Sequence, residues 1–123
     1  MTKQKILLAD GNTKIRISLA ENLRDAGYIV EEAVDGLQAL RMVSKINYNL
    51  IVAEIKMPIM DGVELMERVK VDNKKMPVIL ISGYGDKSFS EFLKSEGAFE
   101  HLLKPFDLPL VQNVVKKAIS LTS

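Results

Sequence analysis

Polar residues that could do chemistry stand directly after short apolar runs at four places in the sequence. They are Asp10, Glu54, Ser82 and Lys104. Two carboxylates and an ammonium group can neutralise one another, and a hydroxyl with an ammonium group can hold a small anion. If the apolar runs are parallel strands, all four side chains lie beyond the carboxyl ends of those strands, where open α/β sheets carry their sites.

Alternating strands and helices would position these four residues. Short, mostly continuous apolar runs are typical of strands buried on both faces, and they occur at 6–9, 28–30, 50–53, 78–81 and 101–103. Apolar residues at helical spacing lie between or after these runs, as in Val111, Val115 and Ile119. Phe89, Phe92 and Leu93 form a shorter stripe, which we interpret as core.

Residues typical of helix ends support the same division. Asp35, Asp61, Asp86 and Asp107 are predicted N-caps, and Gly27 and Gly97 are predicted left-handed helix ends. Five strand–helix units predict a doubly wound α/β fold, in which a five-stranded parallel sheet is covered by helices on both faces.

Length and composition narrow the class of protein. The chain of 123 residues fits a single domain, 1–123, and its 47% hydrophobic and 27% charged content is globular. The sequence shows no apolar run long enough to cross a bilayer and no signal-peptide pattern, so we expect a cytoplasmic protein. A net charge of +1 gives no global attraction to nucleic acid or membranes, and the absence of cysteine excludes disulfides and thiol catalysis.

Four motifs in this order resemble the receiver domain of two-component response regulators over essentially the whole chain. They are "LLAD", "MPIMDG", "LISGYGD" and "LLKPF". The resemblance implies a flavodoxin-like sheet of strand order 2-1-3-4-5. It also implies that Asp10 is the first of a pair of Mg²⁺-binding acids, that Ser82 is the switch hydroxyl and that Lys104 binds phosphate. A cis peptide bond would then precede Pro105.

Two positions depart from the pattern of that family. Gly11 stands where the second metal-binding acid is expected, and Glu54 stands where the phosphoryl-accepting aspartate is expected. Mg²⁺ needs oxygen ligands in near-octahedral geometry, so we expect binding by Asp10 and Glu54 to be weak or lost, and no resident cofactor. We predict that Lys104 and Lys56 neutralise the two acids instead.

Glu54 and His101 each have more than one interpretation. Glu54 could imitate a phosphorylated residue by accepting hydrogen bonds from Ser82 and Lys104, or be a solvated acid at a strand end. It could also be a residual or engineered acceptor, although natural divergence explains Gly11 as well. His101 falls where the family usually has an aromatic switch residue, and it is either a surface histidine of an edge strand or a polar switch that responds to pH.

The function predicted from these features is signalling by a divergent receiver domain, without enzymatic activity or phosphorylation. The interacting surface would be the fourth helix, fifth strand and fifth helix, about 86–119. Its partners would be a histidine kinase, another receiver or an output domain, and a homodimer is plausible because two-fold interfaces are common. The alternative is a Mg²⁺-dependent switch that takes a phosphoryl group from a histidine kinase. Binding of another small anion and direct DNA binding are weaker alternatives.

Overall fold

A central parallel sheet organises the chain, whose residues 3–122 are described by a computed structural model. The strands are β1 (Lys5–Ala9), β2 (Ile29–Ala33), β3 (Leu50–Glu54), β4 (Val78–Ser82) and β5 (Glu100–Leu103). The helices are α1 (Thr13–Asp25), α2 (Gly36–Val43), α3 (Gly62–Asp72), α4 (Lys87–Ser95) and α5 (Leu108–Thr122). The sheet order is β2-β1-β3-β4-β5 and every pairing is parallel, which confirms the predicted fold.

Two apolar cores lie on opposite faces of the sheet. Alternate residues of each strand point to opposite faces, so Leu7 joins the core beneath α2, α3 and α4, and Leu8 joins the core beneath α1 and α5. Because both faces are covered, β4 is buried along its whole length. The continuous apolar runs therefore predicted the inner strands well.

The edge strand β2 differs from its prediction. It runs from Ile29 to Ala33, whereas the apolar run that predicted it covered 28–30. Glu31 and Glu32 continue the strand and are only partly buried. An edge strand with partly solvated side chains does not need a continuous apolar run, which is why the sequence pattern ended too early.

Polar side chains begin most of the helices as predicted. Asp35, Asp61 and Asp86 each accept a hydrogen bond from the backbone N–H three residues later, at 2.7–2.9 Å. Asn12 does the same for α1 through Ile15, a cap that the sequence interpretation did not name although its residue type favours one. Asp107 contributes its backbone carbonyl, which accepts from Val111 N.

Both predicted left-handed glycines are confirmed, whereas one predicted core residue is wrong. Gly27 and Gly97 have φ of 104° and 119°. Phe92 was interpreted as core but is 54% exposed, while Leu93 of the same stripe is fully buried. Since α4 has nine residues and one narrow buried side, only part of an apolar stripe can face the sheet. Within 3–122, no helix has the length and apolar character that crossing a membrane requires.

Candidate functional site

Three charged side chains meet beyond the carboxyl ends of the central strands. Asp10 follows β1, Glu54 is the last residue of β3, and Lys104 follows β5. The ammonium Nζ of Lys104 lies 3.1 Å from Asp10 Oδ2 and donates to Glu54 Oε2 at 2.5 Å. The Asp10 side chain is fully buried, and those of Lys104 and Glu54 are only 14% and 16% exposed. Lys104 therefore bridges the two acids in a largely water-excluded place.

Backbone groups and an arginine hold Asp10 in position. Asn12 N donates to Asp10 Oδ1 at 2.8 Å, and Arg16 Nη1 donates to the Asp10 carbonyl at 2.9 Å. Arg16 Nε also donates to Glu32 Oε1, so this mostly buried guanidinium ties α1 to β2 beside the site. Asp10 Oδ2 is buried without a well-oriented hydrogen bond, and Lys104 is the cation beside it.

The protonation of the three groups follows from their mutual contacts. Burial raises the pKa of Asp10, and the neighbouring Glu54 raises it further. Burial alone would raise the pKa of Glu54, but the hydrogen bonds with Lys104 and Asp10 lower it overall. Burial opposes the charge of Lys104, yet the two acids outweigh that effect and raise its pKa. Asp10 is thus the acid that more readily holds a proton, and Glu54 keeps its charge opposite Lys104.

Two predicted members of the site contact neither acid in the structure of residues 3–122. Lys56 is exposed, and among the ion pairs of residues 3–122 it pairs with neither acid, so Lys104 is the lysine that contacts them. Ser82 Oγ donates to the Tyr84 carbonyl at 2.5 Å and lies 2.7 Å from His101 Nε2. Glu54 accepts from Lys104 and, weakly, from Gly11 N at 3.4 Å, but not from Ser82.

His101 is a buried residue, so its interpretation as a surface histidine is wrong. The side chain lies between β4 and α4 and the residue is only 7% exposed. Its Nδ1 is 2.6 Å from Ser90 Oγ of α4, and its ring meets the Phe89 ring edge-on at 5.5 Å.

The predicted cis peptide bond between Lys104 and Pro105 is confirmed.

Sequence reasoning missed the partners of these residues for different reasons. Asn12 could have been found from its position before a helix, because asparagine is a preferred N-cap residue. Arg16 and Ser90 gave no such signal, since a charged or hydroxyl residue within a helix normally faces solvent. Only the packing of α1 and α4 against the sheet brings them to Asp10 and His101.

The residues at this site fit Mg²⁺ poorly. Gly11 supplies no side-chain oxygen, and residues 3–122 contain no group of three or more histidine, cysteine or acidic residues suited to a metal ion. Mg²⁺ requires near-octahedral oxygen ligands at about 2.1 Å. The ammonium of Lys104 already contacts both available carboxylates and would repel a divalent cation placed between them.

Comparison with known proteins identifies the family to which this arrangement belongs. The family model for the response regulator receiver domain matches residues 6–116. The chain belongs to this family. It is therefore a receiver domain of two-component signalling, and its fold is that of its relatives.

Individual relatives cover this receiver domain almost completely. Sporulation initiation phosphotransferase F of Bacillus subtilis is 38% identical over 100% of this chain and 99% of its own length. Several other curated relatives are longer, and the chain spans only 56–57% of three of them. The receiver domain of a Francisella response regulator superposes with a TM-score of 0.93 at 27% identity, covering 98% of this chain and 100% of that one. The beryllofluoride-activated NtrC4 receiver domain dimer gives 0.91 at 28%, covering 97% and 98%.

Proposed function

We propose that this receiver domain is divergent and signals through protein contacts without being phosphorylated. In this proposal Glu54 occupies the position of the phosphoryl-accepting aspartate, and Gly11 that of the second metal-binding acid. The observation that carries the proposal is the ammonium of Lys104, which contacts both Asp10 and Glu54. The lysine supplies the positive charge that a bound cation would otherwise bring, and Mg²⁺ binding is weak.

The geometry of Glu54 is unfavourable for accepting a phosphoryl group. Phosphoryl transfer depends on positioning and on charge stabilisation. The Glu54 carboxylate is held by Lys104 at 2.5 Å and by Gly11 N at 3.4 Å, so both of its oxygens are engaged. A phosphoryl group on Glu54 would add negative charge beside buried Asp10, and Lys104 is the lysine in contact that would offset this charge. The carboxylates that could hold a metal ion there are those of Asp10 and Glu54.

The contacts of Glu54 favour partial imitation of a phosphorylated residue. Its longer side chain accepts a short hydrogen bond from Lys104, the residue expected to bind phosphate. The second expected donor, Ser82, instead donates to the Tyr84 carbonyl. Glu54 therefore pairs with the lysine, while the Ser82 hydroxyl is engaged by the Tyr84 carbonyl and the His101 ring.

The proposed interaction surface is the face formed by α4, β5 and α5, about 86–119. Large apolar side chains are exposed there, with Phe92 54%, Leu103 47% and Leu110 49% exposed. Buried aromatic and aliphatic anchors dominate most protein interfaces. The proposed partners are a histidine kinase, another receiver or an output domain in the cytoplasm, and the proposed role is binding, not catalysis. A homodimer is included because the similar NtrC4 receiver domain was solved as a dimer.

An NMR titration tests the phosphorylation-independent function. Amide spectra of the full chain are recorded with Mg²⁺, then with Mg²⁺ and beryllofluoride, a stable substitute for the phosphoryl group. We expect no saturable shifts at Asp10, Glu54, Ser82 or Lys104, because the Lys104 ammonium already contacts both carboxylates. Saturable shifts at these residues that spread to His101 would overturn the proposal.

The second candidate is a Mg²⁺-dependent phosphoacceptor switch. The observation that favours it is full-length similarity to a protein named as a phosphotransferase, at 38% identity. Labelling with a phosphodonor such as acetyl phosphate discriminates between the two functions. Label that is lost in Glu54→Gln but kept in Lys56→Gln would support the switch, whereas no Glu54-dependent label supports signalling by binding alone.

A further inference from the structure

An open groove lies between the carboxyl-terminal ends of α2 and α3, at the edge of the sheet where the strands begin. It has a volume of about 920 Å³, and its walls come from α2, α3 and the loops that lead into β3 and β4. This volume is within the range of about 300–1,000 Å³ that ligand sites occupy. The acid site lies at the opposite ends of the strands, so a molecule in the groove would leave it uncovered.

Apolar side chains form much of the wall of this groove. Leu40, Val43 and Ile46 come from α2 and the loop after it, and they also pack against the core beneath α2. Val71 of α3 is 78% exposed where it lines the groove, and Met76 lines it from the loop before β4. A concave apolar surface can accept the apolar face of an amphipathic segment, and an unbranched methionine adapts its shape to what it contacts.

Basic residues are concentrated on the two chain segments that border the groove. Residues 41–49 and 68–76 together contain six lysines and arginines and a single acid, Asp72, although the whole chain has a net charge of only +1. Arg68 lines the groove itself, and Lys75 lines a smaller cleft that shares Met76 with it and continues toward α5. The groove is therefore an apolar centre with a mainly positive border.

Most of these cations lack an acidic partner in the part of the chain that the structure describes. Arg68 pairs with Glu64 on the surface of α3. Four others are exposed and take part in none of the ion pairs of residues 3–122, namely Arg41, Lys45, Lys74 and Lys75. Complementary charge selects partners, so this border favours acidic groups and disfavours a second copy, which would bring the same positive charges.

We propose that the groove between α2 and α3 binds an acidic amphipathic helix of a partner protein. Apolar side chains of that helix fill the groove, and its acidic side chains face the lysines of the border. The groove walls are helices and loops, which offer no strand edge for an extended peptide to pair with. A nucleic acid would satisfy the lysines but carries no aliphatic side chains for the apolar walls.

This surface is separate from the one assigned to the proposed function. The residues that line the groove belong to none of α4, β5 and α5. A partner at each surface could therefore be bound at the same time, and binding in the groove does not depend on whether Glu54 accepts a phosphoryl group.

A designed peptide tests the groove with a probe of defined chemistry. The peptide has about 18 residues, because shorter helices are marginal in water, with leucine at i, i+3, i+4 and i+7 and glutamate on the other face. Added to the full chain, it should cause saturable amide shifts at Val43, Ile46, Val71 and Asn73. A twin with lysine in place of glutamate and a twin of scrambled order should each bind at least about tenfold more weakly.

A matched pair of valine variants locates the binding on the protein. Val71→Glu places a carboxylate at a highly exposed residue of the groove, so the fold should be kept, and it should weaken peptide binding at least about tenfold. Val34→Glu makes the same change at a half-exposed valine directly after β2, at the acid-site end, and should change the affinity less than about twofold.

A matched pair of lysine variants separates the local charge from the net charge. Lys74→Glu combined with Lys75→Glu reverses two cations of the border and should weaken peptide binding at least about tenfold. Lys116→Glu combined with Lys117→Glu reverses two exposed lysines of α5 and changes the net charge by the same amount. This second double variant should weaken binding less than about threefold.

Several outcomes would overturn the inference. One is the absence of saturable shifts at the groove with up to about 1 mM peptide, the range of very weak binding. Others are equal losses in the two lysine double variants, or a DNA duplex that shifts the same amides as tightly as the peptide. Peptide shifts centred on α4 and β5 would also overturn it. The beryllofluoride titration uses no peptide, so failure of the proposed function and failure of this inference are distinguishable.

Discussion

Lys104 stabilises the site by placing its positive charge against the carboxylates of Asp10 and Glu54. Its ammonium is the cation in contact with both Asp10 and Glu54, and all three side chains are largely shielded from water. Removing one partner of a shielded ion pair leaves uncompensated charge, which costs more than the pair contributes. We expect Lys104→Met to lower the free energy of unfolding by about 1–3 kcal/mol, measured by chemical denaturation.

The matched control for this change is another lysine near the same acid. Lys56→Met alters an exposed lysine two residues after Glu54 and should change the free energy of unfolding by less than about 0.5 kcal/mol. Equal losses in the two variants would show that the ion pairs of Lys104 contribute no specific stability.

Gly11 is the residue at which we expect Mg²⁺ binding to be strengthened. A Cβ added there meets only the Val34 carbonyl, at 3.6 Å, so a side chain fits without displacing its neighbours. Gly11→Asp combined with Glu54→Asp adds a third carboxylate beside Asp10 and shortens the side chain at position 54. We expect Mg²⁺ affinity to rise by at least about tenfold, a change typical of alterations at metal sites, as measured by calorimetry.

The control for this restoration separates side-chain volume from charge. Gly11→Ala combined with Glu54→Asp adds the same Cβ without the carboxylate and should bind Mg²⁺ no better than the unaltered chain. A Gly11→Asp, Glu54→Asp variant that also fails to bind Mg²⁺ more tightly would show that the backbone at residue 11 does not point a side chain at the site.

The sequence predicted the meeting of Asp10, Glu54 and Lys104 but not the contacts of Lys56 and Ser82. Asp10, Glu54 and Lys104 come together because strand ends fix their positions and opposite charges draw them into contact. Ser82 has a freely rotating hydroxyl, and the nearby Tyr84 carbonyl and His101 ring compete for it. The choice depends on a loop conformation that no sequence pattern encodes.

At the scale of elements, helix α4 depends on its N-cap for its first turn. Asp86 accepts from Phe89 N at 2.9 Å, and Phe89 packs on His101. Asp86→Ala should lower the free energy of unfolding by about 1 kcal/mol and speed hydrogen exchange in the first turn of α4. Asp86→Asn keeps a side-chain acceptor and should retain most of the protection; equal exchange in both variants would contradict a capping role.

The elements themselves were predictable to different degrees. The inner strands were read correctly because both faces of β3 and β4 are covered, so every side chain is apolar until the strand ends. The edge strand β2 was predicted too short because its two glutamates, which point to opposite faces, are both partly solvated at the sheet edge. For α4 the apolar stripe was found, but its position relative to the sheet was not. Phe92 and Leu93 adjoin in sequence, and only the packed structure decides which one is buried.

At the scale of the whole molecule, the raised pKa values of Tyr48 and Lys104 make the free energy of unfolding depend on pH in the alkaline range. Tyr48 lies in the loop two residues before β3, and its buried phenol donates to Glu31 of β2 at 2.5 Å. Burial and the Glu31 carboxylate raise the pKa of Tyr48 above its ordinary value of 10.0. Lys104 likewise has a pKa above its ordinary value of 10.5, because two carboxylates face it.

These raised pKa values determine the sign of the pH dependence. A group that binds its proton more tightly in the folded state contributes stability that is fully present below its unfolded pKa and is lost as pH rises through the folded pKa. We therefore expect the free energy of unfolding to fall above pH 10.0. Tyr48→Phe should reduce that slope by about 1.4 kcal/mol per pH unit, the value for one proton.

Denaturation curves at several pH values measure the slope, and Tyr84→Phe, at a half-exposed tyrosine, is the control variant. An unchanged slope in Tyr48→Phe would mean that the contact between Tyr48 and Glu31 does not persist in solution.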